Sequence, residues 1–386
     1  MVDILAGLRV VEVGQVLAGP YAGAIFADLG AEVVKVERAE GGDDARSMGQ
    51  AFRHGDALTF HIYNRGKKSV ALDLKAPEGM AAARKLIASA DAVIEGFRPG
   101  VMERLGLGPE PCLADNPRLV YGRISGWGST GPMAAMAGHD LNYLGLSGAL
   151  AAMGVPGAPP PVPLNLIGDY GGGAMMLVAG LLAALVRARG TGKGQVVETS
   201  IAEGALALTP LFYGLLAGGR WGLERGANLL DGGAPFYRCY ECADGRYVAV
   251  GPIEPKFYQA LVIGLGLEGT LDLAKQYDRS SWPETAAAIG AAFQAQPRDH
   301  WAAHFDGSDA CVTPVLDWSE APEHPQHQAR GSFASPGGVT QPTPQVGFSE
   351  TPAAIGGPAP ALGADTAAIL GRLGFDHAAV TRLTRS

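Results

Sequence analysis

Residues 8–37 read LRVVEVGQVLAGPYAGAIFADLGAEVVKVE, a β-branched run, an apolar stretch and a second β-branched run. This pattern predicts strands at 8–13 and 31–37 and a helix at 20–29 with proline in its first turn. A strand, a helix and a strand in succession are typical of parallel sheets, because the helix carries the chain back across the sheet. The stretch therefore predicts an α/β fold.

The same alternation continues to about residue 127. We predict a helix at 77–90 and further strands at 91–97 and 118–125. This N-terminal part of the chain should therefore form a parallel sheet with helices on both faces. Ligands of such sheets bind at the carboxyl ends of the strands.

The second half of the chain has a different texture. A Gly/Pro-rich stretch at 154–165 precedes an apolar helix predicted at 174–188, whose apolar run is too short for the roughly 20 residues of a membrane span. Strands predicted at 236–241 and 246–250 flank an Ala-Asp-Gly turn, which indicates a hairpin. Further helices are predicted at 254–265, 282–294 and 364–373.

These patterns predict a large domain, a smaller α+β domain and a return to the first. The boundaries are 1–200 for the large domain, 201–224 for a linker, 225–330 for the small domain and 331–386 for the returning C-terminal segment.

The composition of the chain limits which binding partners and which cellular compartment can be expected. The chain has 386 residues, a formal net charge of −8 and a pI near 5.5, which argues against nucleic acid and anionic membranes as partners. Four scattered cysteines are too few for a disulfide framework, and we expect a cytoplasmic protein. Cys239 and Cys242 form one CxxC without a second pair, so we predict ordinary strand residues and no metal.

Basic residues cluster around the predicted strand ends of the N-terminal part. Two interpretations stay open from the residues alone, namely phosphate ligands and solvated surface cations. The residues are Arg38, Lys67, Lys68, Lys75, Arg98 and Arg104.

Three titratable residues lie in motifs that could carry chemistry. His139 follows Ala137-Gly138 in a loop, where a histidine is more often structural than catalytic. Asp169 precedes three glycines, so it could cap a helix, or the glycine N–H groups beside it could stabilise an oxyanion. Glu241 would by default be a solvated strand carboxylate.

Motifs along nearly the whole chain, from residue 8 to about 373, resemble the class III coenzyme A transferase superfamily and, within it, the α-methylacyl-CoA racemases. The matching stretches are AGPYAGAIFADLGAEVVKVER, NRGKKSVALDLK, EGFRPGVMERLGLGP, ISGWGSTGP, AGHDLNYL, PLNLIGDYGGG, GKGQVVE, NLLDGGAPFY, ADGRYVAVGPIEPKFY and SDACVTPVL.

The resemblance implies a Rossmann-like large domain, a small domain and an interlocked homodimer. It implies His139 and Asp169 as catalytic groups and Glu241 as the carboxylate that contacts the histidine. Coenzyme A is part of the substrate, and no further cofactor or metal is implied. The implied coenzyme A and acyl contacts are Val16, Arg38, Leu72, Asp73, Leu74, Lys75, Gly96, Phe97, Arg98, Pro99, Gly100, Val101, Arg104, Gly138, Asp140, Leu141, Asn142 and Tyr143.

The resemblance leaves two activities open. A racemase would invert the α-carbon of a 2-methylacyl thioester by proton transfer between His139 and Asp169 through an enolate. A transferase would instead use Asp169 as nucleophile and pass coenzyme A to another acid. The histidine and Glu241 favour the racemase, whereas the long segment 44–69 is similar to the transferase branch. A non-catalytic acyl-CoA binding module is a third hypothesis.

Overall fold

The computed structural model describes residues 3–49 and 52–384. Six residues lie outside these described ranges, namely 1, 2, 50, 51, 385 and 386. They belong to the predicted domains 1–200 and 331–386, and residues 50 and 51 also belong to the segment 44–69. The strands are β1 Arg9–Val13, β2 Glu32–Glu37, β3 Phe52–Arg53, β4 Asp56–Ala57, β5 Lys68–Ala71, β6 Ala92–Glu95, β7 Val120–Ser125, β8 Gln195–Ser200, β9 Arg238–Glu241, β10 Tyr247–Val250, β11 Val312–Pro314, β12 Phe333–Ala334 and β13 Gln341–Pro342.

The helices follow in chain order. They are α1 Ala18–Asp28, α2 Leu58–Tyr63, α3 Pro77–Ala88, α4 Val101–Arg104, α5 Pro109–Asp115, α6 Asp140–Leu146, α7 Ala149–Ala152, α8 Met176–Thr191, α9 Ile201–Ala207, α10 Pro210–Ala217, α11 Pro255–Gly264, α12 Trp282–Phe293, α13 Arg298–Phe305, α14 Pro325–Arg330, α15 Thr366–Arg372 and α16 His377–Thr384. A π-helical segment, Leu166–Met175, runs directly into α8.

The central sheet has six parallel strands in the order β5-β2-β1-β6-β7-β8. Counted among themselves along the chain, the six strands follow 3-2-1-4-5-6, the doubly wound order of dinucleotide-binding folds. The predicted α/β fold is confirmed. Strand addition reverses direction between β1 and β6, and this switch point opens a crevice at the carboxyl ends of the strands.

Both faces of the sheet are covered, which explains the continuous apolar runs in its strands. On one face Val11, Val34 and Val93 pack with residues of α3, α15 and α16. On the other face Val10, Val33 and Ile94 pack with residues of α1 and α8.

The apolar helix is longer than predicted, because its helical turns begin at 166 and not at 174. The continuous stretch Leu166–Thr191 has 26 residues and is long and apolar enough to span a membrane by length and composition. Half of its most apolar window is buried inside the protein, as in the core helix of a soluble domain, so it is only weak evidence for a membrane span.

The chain divides into two units. The first comprises Met1–Ser147, Pro163–Leu208 and Pro325–Ser386, and the second comprises Gly148–Val162 and Thr209–His324. Residues 201–224, predicted as a linker, contain helices α9 and α10 and are shared between the units. The predicted domain boundaries stay a prediction.

The second unit has an antiparallel sheet in the order β11-β10-β9. The predicted hairpin is confirmed, with Tyr247 opposite Glu241. Phe236, Trp282 and Phe293 are buried in the core that this sheet shares with its helices, which accounts for an α+β unit.

Candidate active site

A cavity of about 730 Å³ lies at the carboxyl ends of β1, β2, β5 and β6 in the first unit. The sequence predicted eight of its lining residues, namely Arg38, Leu72, Asp73, Leu74, Lys75, Phe97, Val101 and Arg104. It did not predict Val13, Gly14, Gln15, Val36, Glu37, Ala39, Glu40, Asp43 and Leu105, which complete the wall. The side chains that the resemblance assigned to coenzyme A are thus largely brought together at the switch point of the sheet.

The cavity is lined by two unpaired basic side chains and by one paired arginine that stays half exposed. The side chains of Lys75 and Arg104 make no hydrogen bond or ion pair with any residue in the described part of the chain. Arg38 donates from Nε to the Gly42 carbonyl at 2.9 Å and pairs with Asp44 while remaining half exposed. Such cations suit the pyrophosphate and 3′-phosphate of coenzyme A.

Two of the basic residues singled out in the sequence pair with glutamates on strands of the sheet. Lys67 is buried, and its Nζ lies 2.7 Å from Oε2 of Glu12, so it is a core residue. Lys68 pairs with Glu32 at 2.6 Å on the strand beside it. The interpretation of Lys67 as a phosphate ligand is wrong, because it is buried and paired with Glu12. Lys68 is partly exposed and does not line the cavity, so its interpretation as a phosphate ligand stays a prediction.

Five predicted contacts lie beside the cavity and do not line it. Val16 has φ +74°, an unusual conformation for a β-branched residue, and its N–H donates to Asp43 Oδ1 at 3.2 Å. Burial raises the pKa of the Tyr143 phenol, and Arg98 lies close enough for its charge to lower that pKa in part. The others are Gly96, Pro99 and Gly100.

His139 stands at the start of α6, where the chain is held by its neighbours. Its N–H donates to the side-chain Oδ1 of Asn142 at 3.0 Å, and its carbonyl accepts the Asn142 N–H at 2.8 Å. Gly138 cannot be replaced without movement, because a Cβ there would lie 2.7 Å from the Tyr143 ring. These contacts fix the backbone from which the exposed His139 ring projects.

Asp169 lies inside the π-helical segment and is tied to α6. Its N–H donates to Oδ1 of Asp140 at 2.8 Å, and Asp140 is 8% exposed. Gly168 allows this approach, since a Cβ there would lie 2.2 Å from the same oxygen. The interpretation of Asp169 as a helix N-cap is wrong, because the helical turns begin three residues earlier and its side chain caps no backbone group. π-helical turns of this kind are frequent at functional sites.

The surroundings of Asp169 favour its protonated form. Burial raises the pKa of the Asp169 carboxyl, and the nearby charge of Asp140 raises it further. A contact with Asn165 Nδ2, 3.4 Å from Oδ2, and the charge of His139 lower the pKa in part. The structure therefore brings His139 and Asp169 within electrostatic reach of each other, with a carboxyl poised to hold or release a proton.

The glycines after Asp169 do not lie at a helix N-terminus. Gly172 packs against α9, where a Cβ would lie 2.4 Å from the Ala205 nitrogen. Gly204 faces it, with a Cβ position only 1.8 Å from the Gly172 oxygen. The prediction of free glycine N–H donors at the first turn is wrong, because these glycines serve the close contact of two helices.

Sequence reasoning missed three residues around Asp169. Asn165 contacts the carboxyl, Tyr170 follows it in the chain, and the Tyr63 hydroxyl hydrogen-bonds to the Tyr170 hydroxyl. Asn165 and Tyr170 were inside a quoted motif without a role. Tyr63 had no local signal, because only the fold brings it to Tyr170.

In the second unit Glu241 is exposed on β9, and no position relative to His139 follows from that unit alone. A cavity of about 740 Å³ in this unit is lined by Tyr237, Cys239 and Cys311, among others, and Glu241 is not among its lining residues. Glu254 lies near this wall, since its charge contributes to the raised pKa of Cys311 after the larger effect of burial. The role of Glu241 stays a prediction, with Glu254 as a second carboxylate in the same unit.

Comparison with known proteins gives one consistent family. A profile described as CoA-transferase family III matches residues 5–366. A Mus musculus protein named alpha-methylacyl-CoA racemase is 42% identical over 382 residues, 98% of this chain and 96% of the relative. An Acetobacter aceti acetyl-CoA:oxalate CoA-transferase is 34% identical over 350 residues, 89% and 88% of the two chains. The crystal structure of a CAIB/BAIF family protein from Brucella suis superposes with a TM-score of 0.84 and 29% identity, covering 97% of this chain and 100% of the other.

Proposed function

Because the chain belongs to the CoA-transferase family III, we propose that it is an α-methylacyl-CoA racemase. It inverts the carbon next to the thioester carbonyl of 2-methyl-branched acyl-CoA substrates. The observation that carries the proposal is that His139 lies close enough to Asp169 for its charge to act on that carboxyl, within the same unit as the cavity at the strand ends. The similarity to a racemase over nearly the full length of both chains supports it.

The reaction follows from two proton carriers on opposite faces of one carbon. The thioester carbonyl acidifies the α-hydrogen, and one of His139 and Asp169 removes it as the other returns a proton to the opposite face. The electron pair of the broken C–H bond moves into the enolate and then forms the new C–H bond. Burial beside Asp140 raises the pKa of Asp169, which brings this carboxyl closer to the range in which it can act as acid and base.

The runner-up is transfer of coenzyme A between carboxylic acids. The same carboxylate would attack the thioester carbonyl, release coenzyme A thiolate and form a mixed anhydride. Similarity to the Acetobacter aceti transferase supports this alternative. His139 beside Asp169 favours the racemase, since acyl transfer to a carboxylate does not need a second proton carrier.

The first test is the fate of the α-hydrogen. A single enantiomer of a 2-methylacyl-CoA, incubated in D₂O without an acceptor acid, should epimerise and acquire deuterium at the α-carbon, as followed by mass spectrometry and chiral separation. A parallel sample contains an acceptor acid. Coenzyme A transfer that depends on the acceptor, without deuterium at the α-carbon, would replace the racemase by the transferase.

We further propose that the protein is an interlocked homodimer in the cytoplasm and needs no cofactor beyond the coenzyme A of its substrate. In this arrangement a carboxylate of the small domain of one chain orients His139 of the other, as carboxylates do for catalytic histidines. Glu241 is the candidate from sequence, and Glu254 is the alternative beside the cavity of the second unit.

Co-expression tests the shared site. His139→Ala chains combined with Glu241→Ala chains should form heterodimers with one intact site, and turnover should rise well above that of either parent. The same experiment with Glu254→Ala compares the two carboxylates. If Glu241→Ala alone is fully active, Glu241 loses its role. If both parents are weak and neither combination gains turnover, the shared site is wrong.

A further inference from the structure

We propose that the hydroxyl of Tyr63 positions the catalytic carboxyl of Asp169 through Tyr170 and Asn165. Tyr63 ends α2, in the long segment 44–69. It lies outside the motifs that carry the chemistry, and it does not line the coenzyme A cavity. The inference rests on the proposed role of Asp169 and adds a positioning residue to it.

The first link is a pair of phenol hydroxyls. The hydroxyls of Tyr63 and Tyr170 hydrogen-bond to each other, and their rings lie 6.1 Å apart at 30°. The ring of Tyr21 packs edge-on against Tyr170 at 4.8 Å and against Tyr63 at 6.2 Å. Three rings that pack on one another leave the two hydroxyls little freedom to separate.

The second link is the amide of Asn165. Its NH₂ group has two donors. One points to Asp169 Oδ2 at 3.4 Å, and the same amide lies within hydrogen-bonding reach of the Tyr170 hydroxyl. Burial raises the pKa of the Tyr170 phenol, so that hydroxyl is neutral; it hydrogen-bonds to the Tyr63 hydroxyl, and the amide of Asn165 lies beside it.

The consequence is a chain of contacts that ends on the carboxyl. If Tyr63 loses its hydroxyl, the hydrogen bond that fixes the Tyr170 ring is lost and only ring packing holds it. The Tyr170 oxygen can then shift, and the amide of Asn165 beside it is held less firmly. The Asp169 carboxyl then samples orientations that do not face the substrate α-carbon. Small losses of alignment lower the rate of the chemical step without weakening the binding of coenzyme A.

Tyr63→Phe tests the inference, and Tyr21→Phe is the matched control. The Tyr21 hydroxyl makes no hydrogen bond among the described residues, so the control removes the same atom from the same ring cluster. We expect Tyr63→Phe to lower kcat about fivefold, the size of effect of one neutral hydrogen bond, with KM for the acyl-CoA unchanged. The control should keep both constants, and thermal melts of all variants should agree.

A double variant separates positioning from general damage. Tyr63→Phe combined with Tyr170→Phe should be no slower than Tyr170→Phe alone, because both changes remove one shared contact. Multiplying losses, a rise in KM, or equal rates for Tyr63→Phe and the control would overturn the inference. If Tyr63→Phe does not fold, Tyr170→Phe against Tyr21→Phe tests the same chain of contacts one step nearer Asp169, and equal rates there would overturn the inference.

A failure of the proposed function can be distinguished from a failure of the positioning role of Tyr63. The rate is measured for whichever reaction the unaltered protein catalyses, α-proton exchange or coenzyme A transfer, because Asp169 acts in both. If Asp169→Asn retains that activity, the role of Asp169 fails and the positioning inference fails with it. If Asp169→Asn is inactive and Tyr63→Phe equals its control, only the positioning inference fails.

Discussion

Asp169→Asn is expected to lower turnover roughly a hundredfold or more, because it removes one of the two proton carriers that inversion requires. The variant keeps the shape of the side chain, and the backbone N–H that donates to Asp140 is untouched. Deuterium exchange at the α-carbon should fall in parallel with epimerisation. Near-normal turnover in a folded variant would leave Asp169 with a structural role.

The same variant should be at least as stable as the unaltered protein at neutral pH. Burial raises the pKa of Asp169 above its ordinary 3.8, so the charged form is disfavoured in the native state. Such a group favours folding below its ordinary pKa, and this contribution is lost as pH rises through the raised value. Thermal melts should therefore show the advantage of Asp169→Asn at pH 7 and its disappearance near pH 3. Asp306→Asn, an exposed carboxylate of the second unit, is the control.

The sequence was sufficient for most of the sheet. Strands β1, β2, β6 and β7 are buried on both faces, and their apolar runs are visible without any partner. Strand β8 was missed as an element, because an edge strand that reads QVVETS carries polar residues and shows a weak pattern.

The start of the apolar helix was misjudged for a physical reason. Three glycines after Asp169 have poor helix propensity, which placed the predicted start behind them. Packing decides otherwise, because only glycine at 172 lets α9 approach the helix. Local propensity cannot express a contact with a helix that begins some thirty residues later in the chain.

The candidate site also contains some residues that could be predicted from the sequence and others that could not. Residues at strand ends could be predicted, since parallel strands bring their carboxyl ends to one edge. The roles of Lys67 and Tyr63 could not, because each depends on a partner distant in the chain, Glu12 for one and Tyr170 for the other. A basic residue beside a strand looks the same in sequence whether it meets a phosphate or a buried carboxylate.

The buried carboxylate of Glu12 is the position at which we expect a substitution to lower stability most. Glu12 lies on β1 with its side chain fully buried, and its oxygens lie 2.7 Å from Nζ of Lys35 and 2.7 Å from Nζ of Lys67. Lys35 also pairs with Asp43 at 2.8 Å, so two lysines and two carboxylates form a neutral buried group. Asp43 in turn holds the N–H of Val16 beside the cavity.

Glu12→Gln is expected to lower the free energy of unfolding by about 3 kcal/mol, because it leaves one buried positive charge without a partner. Thermal or urea unfolding followed by circular dichroism measures the loss. Glu12→Gln combined with Lys67→Gln restores neutrality and should recover a large part of it. Asp115→Asn breaks an exposed pair with Arg84 and should change stability far less.

The loss of stability in Glu12→Gln should depend on pH through the ionisation of Lys67. Burial lowers the pKa of Lys67 from its ordinary 10.5 to about 8, so native Lys67 releases its proton before unfolded Lys67 does. A base with a lowered native pKa favours folding above its ordinary pKa and loses that contribution as pH falls through the native value. Without Glu12 the native pKa of Lys67 falls further, so the deficit of Glu12→Gln should shrink as pH rises to 8.

Burial raises the pKa of Glu12, but the charges of Lys35 and Lys67 outweigh it and lower that pKa overall. The deficit should therefore be greatest at mildly acidic to neutral pH and shrink in strong acid, where the unaltered protein loses the charge of Glu12 as well. A deficit as small as that of Asp115→Asn, or one that does not change with pH, would contradict an unpaired buried charge.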